Sequence, residues 1–248
     1  MNFKQFSKRI DHHYSDRLAL RPIALSDAWP LFEATQADGF NEHLLWQRPE
    51  HHLPVFERIE SIIAQAQSGQ IAAVAAVARK TGQFAALYRF APFADGVEMS
   101  LWTHPAFWGG GFGTETTRLA VHAAMAESNT NRLYARSMNE NKPAQRVLEK
   151  VGLKATDMGS ICDESGAERH YLTFTMDRAD WNAADASLDL RKVETPAEAS
   201  TAYLVEASAN SSPEATAWVN SDGCEFHVHA GWHADPAPAA ASLKAITQ

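Results

Sequence analysis

Four glycines close together give this chain its clearest chemical signature. A short alternating run ends at Pro105, and the glycines after it are Gly109, Gly110, Gly111 and Gly113. Glycine lets the backbone adopt positive φ and approach a ligand closely. A strand, a glycine loop and a helix in this order aim unpaired N–H groups at an anion, which the helix dipole also attracts. The stretch therefore predicts a phosphate-binding loop, and taken alone it is equally typical of a tight strand-to-helix turn.

Two well-known phosphate-binding motifs do not fit this loop. A P-loop requires Gly-Lys followed by Ser or Thr, and none follows here. The dinucleotide fingerprint GxGxxG requires a third glycine where Thr114 stands. The loop is thus neither an ordinary nucleotide-triphosphate site nor a Rossmann site.

The elements around the loop follow from hydrophobic periodicity and from turn and capping residues. Gly69 and Gly152 are placed to end helices, and Ser26-Asp27 is placed to cap one. The predicted order is a strand at 18–21, helices at about 26–37 and 54–67, a hairpin of 71–78 with 84–90, a break at 91–96, a strand at 97–102, a helix at about 114–127, a strand at 132–137, a helix at 142–150 and a hairpin within 161–176.

Several stretches in the right order make the loop's identity specific. "HPAFWGGGFGTET" from His104 is similar to the "HPxYWGxGYATEA" form of the coenzyme loop in the RimJ/RimL-type branch of the GNAT N-acetyltransferases. "NENKPAQRVLEKVGL" from Asn139 resembles that branch's "N-x-x-S-x-R-V-L-E-K-x-G-F", and "DRLALRP" from Asp16 resembles its opening "ERLxLRP". The resemblance covers roughly residues 16–181.

The resemblance implies an α/β (α+β) fold of the GNAT type, with a mixed, mostly antiparallel central sheet flanked by helices. It also implies that acetyl-CoA is the co-substrate and that the glycine loop binds the pyrophosphate through backbone N–H groups. Thr114 is placed to cap the following helix, and Trp108 stands where many relatives have Gln or Arg. The residues expected at the coenzyme are Trp108, Gly109, Gly110, Gly111, Phe112, Gly113, Thr114, Asn141 and Arg146.

Glu98 is the expected catalytic residue, because the family places a Glu on this strand. Strand alternation puts Glu98 and Trp102 on the face opposite Val97 and Met99. A carboxylate there could take the proton from an attacking ammonium. An α-amine has a pKa of about 7.7–8.0 and a lysine amine about 10.4, so a weak base suffices for an N-terminus. The alternative is a Glu that only hydrogen-bonds or orients substrate.

The remaining family positions leave the general acid open. Relatives often protonate the departing thiolate with Tyr or Ser, and here Ala144 replaces the Ser of the motif. Tyr134 and Ser137 lie on the next strand, but the sequence assigns the role to neither. Asn141 is expected to hydrogen-bond near the pantetheine. Arg146 matches the motif's Arg and is expected to meet the adenosine 3′-phosphate.

Composition narrows the partners and the location. The 248 residues carry a net charge of −8, so nucleic acid is a poor candidate partner. The N-terminus has no apolar leader and no run is long enough to span a membrane. Cys162 and Cys224 are too few for a disulfide framework and suit a reducing compartment. We expect a cytoplasmic protein without a membrane partner.

A composition change after Trp181 predicts a domain boundary. Residues 1–181, the expected acetyltransferase domain, carry a net −2, whereas residues 182–248 carry −6 and 17 alanines. The acidic, Ala-rich tail predicts a helix at about 195–208 and a hairpin of 215–220 with 224–230. It is a small C-terminal appendage that could cover the acceptor site or build a homodimer interface.

His227, His229 and nearby Cys224 and His233 are typical metal-ligand types, but an ordinary hairpin explains them better, so no metal is predicted.

The sequence thus predicts an acetyl-CoA-dependent N-acetyltransferase in which a primary amine attacks the thioester directly in a ternary complex. The acceptor is a small-molecule amine or a peptide N-terminus, and the residues do not choose between them. The alternative, in a different class, is a coenzyme A-binding regulatory or interaction module whose catalysis has decayed. Ala144 and the acidic tail are the features that raise it.

Overall fold

The computed structural model describes residues 1–181 and, further along the chain, two strands at 215–219 and 225–229. Residues 1–181 hold a seven-stranded sheet with helices on both faces. The strands are β1 (Leu18–Pro22), β2 (Ala72–Ala78), β3 (Phe84–Phe93), β4 (Gly96–Thr103), β5 (Arg132–Met138), β6 (Lys154–Cys162) and β7 (Glu168–Asp177). The helices are α1 (Phe3–Ser7), α2 (Ala28–Gln36), α3 (Leu53–Ser68), α4 (Phe112–Ala126) and α5 (Lys142–Lys150).

The sheet has the order β1-β2-β3-β4-β5-β7-β6 and is antiparallel except between β4 and β5. The parallel pair is short: only Val97 with Leu133 and Glu98 with Tyr134 are in register. Beyond Glu98 the two central strands pair no further, although β4 continues to Thr103 and β5 to Met138. The sheet therefore opens at its middle, next to the loop that leads into α4.

One face of the sheet is covered by α1, α4 and α5. The core there contains large side chains from the N-terminal helix, from β3, β4 and β7, and from α4, all nearly inaccessible to solvent: Phe6, Phe90, Met99, Leu119 and Phe174. This packing fixes the start of α4 against the sheet.

The other face is covered by α2 and α3. Their apolar residues pack on the opposite side chains of the same strands, and this second core includes Leu31, Ile59, Ala75 and Leu87, with Trp102 against it. Val97 and Met99 belong to the first core and Trp102 to the second, as strand alternation predicts. Glu98 therefore lies on the α2/α3 face.

The predicted fold class and the order of elements are confirmed, and several bounds differ. β3 continues through the predicted break to Phe93, because Ala94 takes φ of 47° and forms a tight turn with Asp95 into β4. β6 begins at Lys154, well before the predicted hairpin. The start of this edge strand was missed because most of its residues are exposed and do not alternate between apolar and polar. Helix α1 was not predicted, since its five residues depend on Asn2, which accepts a hydrogen bond from the Gln5 N–H at 3.1 Å.

Two predicted caps are wrong in detail. Asp27 precedes α2, but its carboxylate turns back and accepts hydrogen bonds from the Ala24 N–H at 2.9 Å and from Arg21 at 2.8 Å. Thr114 does not cap α4, because the helix already begins at Phe112 and Gly111 is its N-cap. The predicted helix stop at Gly69 is confirmed, with φ of 84°.

The two strands described beyond residue 181 pair with each other. β8 (Ala215–Val219) and β9 (Glu225–His229) are antiparallel, with Trp218 opposite Phe226, as the predicted hairpin requires. The predicted helix at 195–208 and the side chains of Cys224 and His233 lie outside the described residues. Within the described residues, no helix combines the length and apolarity that a membrane crossing requires.

A buried tyrosine ties the sheet to the first turns of α4. The Tyr88 hydroxyl donates to Thr116 Oγ1 at 2.7 Å and lies 3.1 Å from Thr117 Oγ1. Those hydroxyls donate in turn to the carbonyls of Phe112 and Gly113. Burial raises the pKa of Tyr88 to about 12, so the hydroxyl stays protonated and keeps donating throughout the physiological range.

Replacing Tyr88 by Phe should destabilise the fold by about 1 kcal/mol, because it removes a buried hydrogen bond and leaves the threonine hydroxyls without this partner. The free energy of unfolding in urea measures the loss. Tyr14→Phe, which removes a hydroxyl from a partly exposed ring, is the matched control and should change stability less. Equal stability of Tyr88→Phe and the parent protein would contradict the prediction.

Candidate active site

The glycine loop connects the end of β4 to α4. A single helical turn at Pro105–Phe107 leads to Trp108 in an extended conformation. Gly109 and Gly111 both have φ of 78°, a left-handed conformation that strongly favours glycine. α4 starts immediately afterwards, at Phe112.

A run of backbone donors is left unpaired at this junction. Within residues 1–181, no backbone carbonyl accepts a hydrogen bond from the N–H groups of residues 109–114, and the first such bond is from Glu115 to Gly111 at 3.1 Å. These donors lie at a helix N-terminus, where the dipole favours negative charge. The arrangement is that of an anion-binding site.

Arg17 braces the loop from the side of β1. Its Nε donates to Glu115 Oε2 at 2.7 Å, and its Nη1 donates to the Gly110 carbonyl at 3.3 Å. The guanidinium carbon lies 4.0 Å from the centroid of the Phe112 ring, and Ser15 donates to Glu115 Oε1 at 2.6 Å. The acidic Glu115 in the first helical turn is thereby neutralised. Sequence reasoning did not single out Arg17, although it lies within the motif "DRLALRP".

Trp108 is held over the α2/α3 side of the loop. Its Nε1 donates to the Thr103 carbonyl at 2.9 Å, and its ring stacks on Phe40 at 6.5 Å between centroids. Phe40 also meets Trp102 edge-on at 5.5 Å. The Trp108 side chain is nevertheless about half exposed, at 49%. It therefore offers an aromatic surface beside the glycine loop.

Glu98 lies at the point where β4 and β5 part, and it is almost buried at 9% exposed. Both of its carboxylate oxygens accept hydrogen bonds from Arg136 on β5, from Nε and from Nη2, the latter at 3.0 Å. The bidentate pair links Glu98, in the last paired position of β4, to Arg136, two residues beyond the last paired position of β5. Because each oxygen accepts one guanidinium N–H, the carboxylate is held in a fixed orientation, which fits the orienting role for Glu98.

Arg136 is itself tightly held. Its guanidinium lies 5.3 Å from the Phe93 ring centroid and 5.2 Å from that of Tyr171. The hydrogen bond to Glu98 is the largest influence on the pKa of Arg136 and raises it, against a smaller lowering by burial. Arg136 was not predicted as a site residue, because nothing in the sequence pairs it with Glu98.

Neither of the two candidate acids on β5 stands out. The Tyr134 hydroxyl donates to Asp95 Oδ1 at 2.5 Å, and this hydrogen bond lowers the pKa of Asp95. Ser137 is buried, and its hydroxyl is 3.4 Å from the Met138 carbonyl and 3.5 Å from that of Asn141. The structure thus engages Tyr134 elsewhere and leaves Ser137 as the hydroxyl closer to the start of α5.

Asn141 and Arg146 lie on α5. Asn141 is the N-cap, and its Oδ1 accepts a hydrogen bond from the Ala144 N–H at 3.1 Å. Arg146 is exposed on the helix surface. On the adjacent helix α4, Arg118 donates a hydrogen bond to the Lys150 carbonyl at 3.3 Å. Basic residues of α4 and α5 therefore lie on neighbouring surfaces. Arg118 is a further basic residue that the sequence analysis did not propose.

The structure brings the predicted residues to one region of the fold. Glu98 is on the strand that leads into the glycine loop, and Asn141 and Arg146 follow the strand that pairs with it. Among the described residues, no group of three or more His, Cys, Asp or Glu side chains is arranged to hold a metal ion. The histidines considered as metal ligands have side chains outside the part of the chain that is described.

Comparisons with known proteins agree with this geometry. Residues 17–154 match the acetyltransferase (GNAT) domain family. RimJ of Mycobacterium smegmatis, solved as a CoA-disulfide complex, is similar in structure with a TM-score of 0.55 and 18% identity, over 68% of this chain and 84% of that one. No curated protein sequence matches the chain.

Two further solved structures have the same fold. The ribosomal alpha-N-protein acetyltransferase RimL, in complex with coenzyme A, has a TM-score of 0.58 and 13% identity, over 66% of this chain and 95% of its own. The microcin self-immunity acetyltransferase MccE, in complex with acetyl-CoA and AMP, has a TM-score of 0.57 and 14% identity, over 65% and 93% respectively. At these identities the likeness establishes the fold.

The Glu98–Arg136 pair should contribute measurably to stability. A double-mutant cycle with Glu98→Gln, Arg136→Met and both together is expected to give a coupling energy of about 1.5–3 kcal/mol, because hydrogen bonds to charged groups are stronger than neutral ones. Unfolding in urea provides the four free energies.

The exposed pair Lys154–Asp180, at 2.8 Å, serves as the control cycle. Its coupling should be smaller, because solvent screens both side chains. Equal coupling in the two cycles would show that Glu98 and Arg136 behave as an ordinary surface pair.

Proposed function

Because the chain belongs to the acetyltransferase (GNAT) family, we propose that it transfers an acetyl group from acetyl-CoA to a primary amine. One observation carries the proposal: β4 and β5 stop pairing after Glu98, and the opening lies beside a loop of unpaired N–H groups. An open strand edge supplies hydrogen-bonding groups for an extended ligand arm, and the loop supplies donors for its phosphates.

In this proposal the N–H groups of residues 109–114 bind the pyrophosphate of the coenzyme. The left-handed glycines leave that surface free of side chains, since a Cβ added at Gly109 would meet no atom within 4 Å. Arg17 offsets the charge of Glu115, which would otherwise oppose an anion at the same helix terminus. The pantetheine arm lies between β4 and β5, near Asn141, and the exposed Arg146 is placed for the 3′-phosphate.

The proposed mechanism is direct attack in a ternary complex. The nitrogen lone pair forms the new C–N bond at the thioester carbonyl, the C–S bond breaks with its electrons on sulfur, and the amine proton leaves to solvent. An α-amine has a pKa of about 7.7–8.0, so a useful fraction is neutral near pH 7 without a strong base. Correct placement of the amine against the thioester then supplies much of the rate.

We assign Glu98 a positioning role in this mechanism. Its carboxylate fixes Arg136 and the geometry of the strand opening, and both oxygens are committed to that contact. The thiolate receives its proton from water or from Ser137, the hydroxyl nearest the start of α5. Trp108 contributes the aromatic surface at the mouth of the acceptor side.

The same contacts are what a coenzyme-binding module without catalysis would have. Ala144 lacks the hydroxyl of the family motif, and Tyr134 is engaged with Asp95. Turnover separates the two functions. Thiol release from acetyl-CoA that increases with an added amine supports the transferase, whereas tight coenzyme binding without release for any amine supports the module.

We further propose that residues 1–181 form the catalytic domain and that residues 182–248 are an extension. The family match lies wholly within the first segment. A chain truncated after Trp181 should still bind acetyl-CoA. If the extension covers the acceptor site or forms a homodimer interface, truncation changes the amines accepted or the mass in solution. An unchanged acceptor profile and an unchanged mass, by light scattering, would exclude both roles.

The coenzyme assignment is tested with substitutions at Gly113, which has an ordinary helical φ and sits in the first turn of α4. A Cβ there would lie 3.7 Å from Thr103 Oγ1 and 3.8 Å from Val147 Cγ2, which are normal contacts. Gly113→Ala should therefore fold well. Gly113→Val adds two further methyls within the loop segment whose N–H groups are proposed to bind the pyrophosphate.

Acetyl-CoA at 100 times its Kd should stabilise the parent protein by about 2.7 kcal/mol. A hundredfold weaker complex would show only about 0.4 kcal/mol at the same concentration, and this is the result expected for Gly113→Val. Ala126→Val, at the exposed far end of the same helix, is the control and should retain the full stabilisation. Full stabilisation of Gly113→Val would place the coenzyme elsewhere.

A further inference from the structure

We call the sheet surface beside Glu98, on the face that α2 and α3 cover, the floor of the proposed acceptor site. The register of β3 and β4 determines which side chains lie on it. Arg89 is paired with Ser100, and Ala91 with Glu98, in an antiparallel ladder. Residues opposite each other in such a ladder point to the same face. Arg89 and Ser100 therefore share the α2/α3 face with Glu98, and Arg136 joins them because it contacts Glu98 from β5.

This part of the sheet is open. Ser100 is exposed although β4 is the central strand of seven, whereas Val97 and Met99 on the other face are buried. A central strand with an exposed side chain indicates a cleft between α2/α3 and the sheet. The cleft is on the side of the sheet opposite α4 and α5.

Arg89 is a cation without a counter-ion at this floor. It is partly buried, and within residues 1–181 its guanidinium forms no ion pair or hydrogen bond. The residue paired with Arg89 on the neighbouring strand β2 is Ala73, which is small and apolar. Because Arg89 is partly exposed and has no acidic partner there, its N–H donors are available to an anion from outside the chain.

Arg136 adds donors on the other side of Ser100. Two of its five N–H groups bind Glu98, the Tyr171 side chain interacts with the guanidinium as well, and the Phe93 and Tyr171 rings hold it in place. Glu98 balances Arg136, and Arg132 on the same face of β5 is paired with Asp95 and Asp177. Among these side chains, only Arg89 lacks an acidic partner within residues 1–181, so the floor offers an anion one unpaired guanidinium.

We infer that the acceptor is a small primary amine that carries its own carboxylate or phosphate, which Arg89 and the remaining donors of Arg136 bind beside Glu98. The inference rests on the proposed function and names the substrate class of the same site. Amino acids and amines with a phosphate ester have this chemistry. Polyamines do not, because their only charges are positive.

One side of the cleft is closed by hydrogen bonds between the chain segments that border it. The loop between α2 and α3 is bonded to the β6–β7 turn: the Gln47 N–H donates to Glu164 Oε2, and the Glu164 N–H donates to the Leu45 carbonyl, both at 3.0 Å. Arg169 on β7 also donates to the Glu42 carbonyl at 3.0 Å. These bonds join the α2–α3 loop to the β6–β7 segment on one side of the cleft.

The test compares amines that differ only in the anionic group. Alanine with alaninamide, serine with serinamide and phenylalanine with phenylalaninamide form the carboxylate arm, and phosphoethanolamine with ethanolamine forms the phosphate arm. In the parent protein, kcat/KM for the acid of at least one pair should exceed that for its neutral partner by about tenfold or more. Whichever arm shows the ratio identifies the anion.

Arg89→Met removes the charge and keeps much of the side-chain length. The acid-to-neutral ratio should fall to about one in this variant, since the change removes the charged contact that only the acid makes. Arg9→Met, which alters an exposed arginine paired with Glu127, is the control and should keep the ratio. Urea unfolding of both variants checks that they are folded.

Three results would overturn the inference. These are neutral amines accepted as well as their acids in every pair, a peptide amide preferred to all free acids, and an acid-to-neutral ratio that survives Arg89→Met.

If no amine is acetylated although acetyl-CoA binds, the proposed transfer fails separately. The subsite is then tested by the thermal stability of the coenzyme A complex: added stabilisation by an acid but not by its neutral partner supports the subsite, and no difference within any pair overturns it.

Discussion

The candidate site depends on the early end of pairing between β4 and β5. Two paired positions join the parallel strands, and beyond Glu98 their facing backbone groups have no ladder to complete. Buried backbone donors and acceptors must be satisfied, so an opening of this kind persists only if water or a ligand can occupy it. The bidentate contact between Glu98 and Arg136 bridges the opening by side chains where backbone bonds no longer do. The glycine loop starts from the diverging end of β4, which places its free N–H groups at the mouth of the same opening.

This geometry changes what Glu98 can do. A carboxylate on a family-typical strand position is readily interpreted as a general base, and that was one of the two roles left open by the sequence. Each oxygen of Glu98 uses one lone pair on the guanidinium of Arg136, so only the remaining lone pairs could accept a proton from an amine. Removing Glu98 would release a half-buried cation and loosen the strand opening, so loss of activity alone would not identify a base. The contact therefore explains why a Glu could be needed here without moving a proton.

Most of the fold could be predicted from the sequence, because the elements around the loop have strong periodicity and clear stop signals. α5 has the predicted bounds, and Gly69 and Gly152 end their helices in left-handed conformations. The elements that were missed are those held by tertiary contacts: α1 has only five residues and is fixed by Phe3 and Phe6 in the core, and β6 is an exposed edge strand. The site shows the same division. The glycine loop is a local pattern and could be predicted, whereas the pairs of Arg17 with Glu115 and of Arg136 with Glu98 join distant segments and have no local signature.

The charges at the cleft floor bear on both the choice of acceptor and the protonation state of its amine. A nucleophilic amine must be neutral when it attacks, and a nearby uncompensated positive charge favours the neutral form of an amine over the ammonium form. With Glu98 engaged by Arg136, the unpaired charge of Arg89 would favour the neutral form of an amine that lies beside it. In the subsite that we infer, the anion of the acceptor would engage the Arg89 guanidinium and so hold the amine in place. The engaged carboxylate of Glu98 and the unpaired guanidinium of Arg89 would then act on the same acceptor.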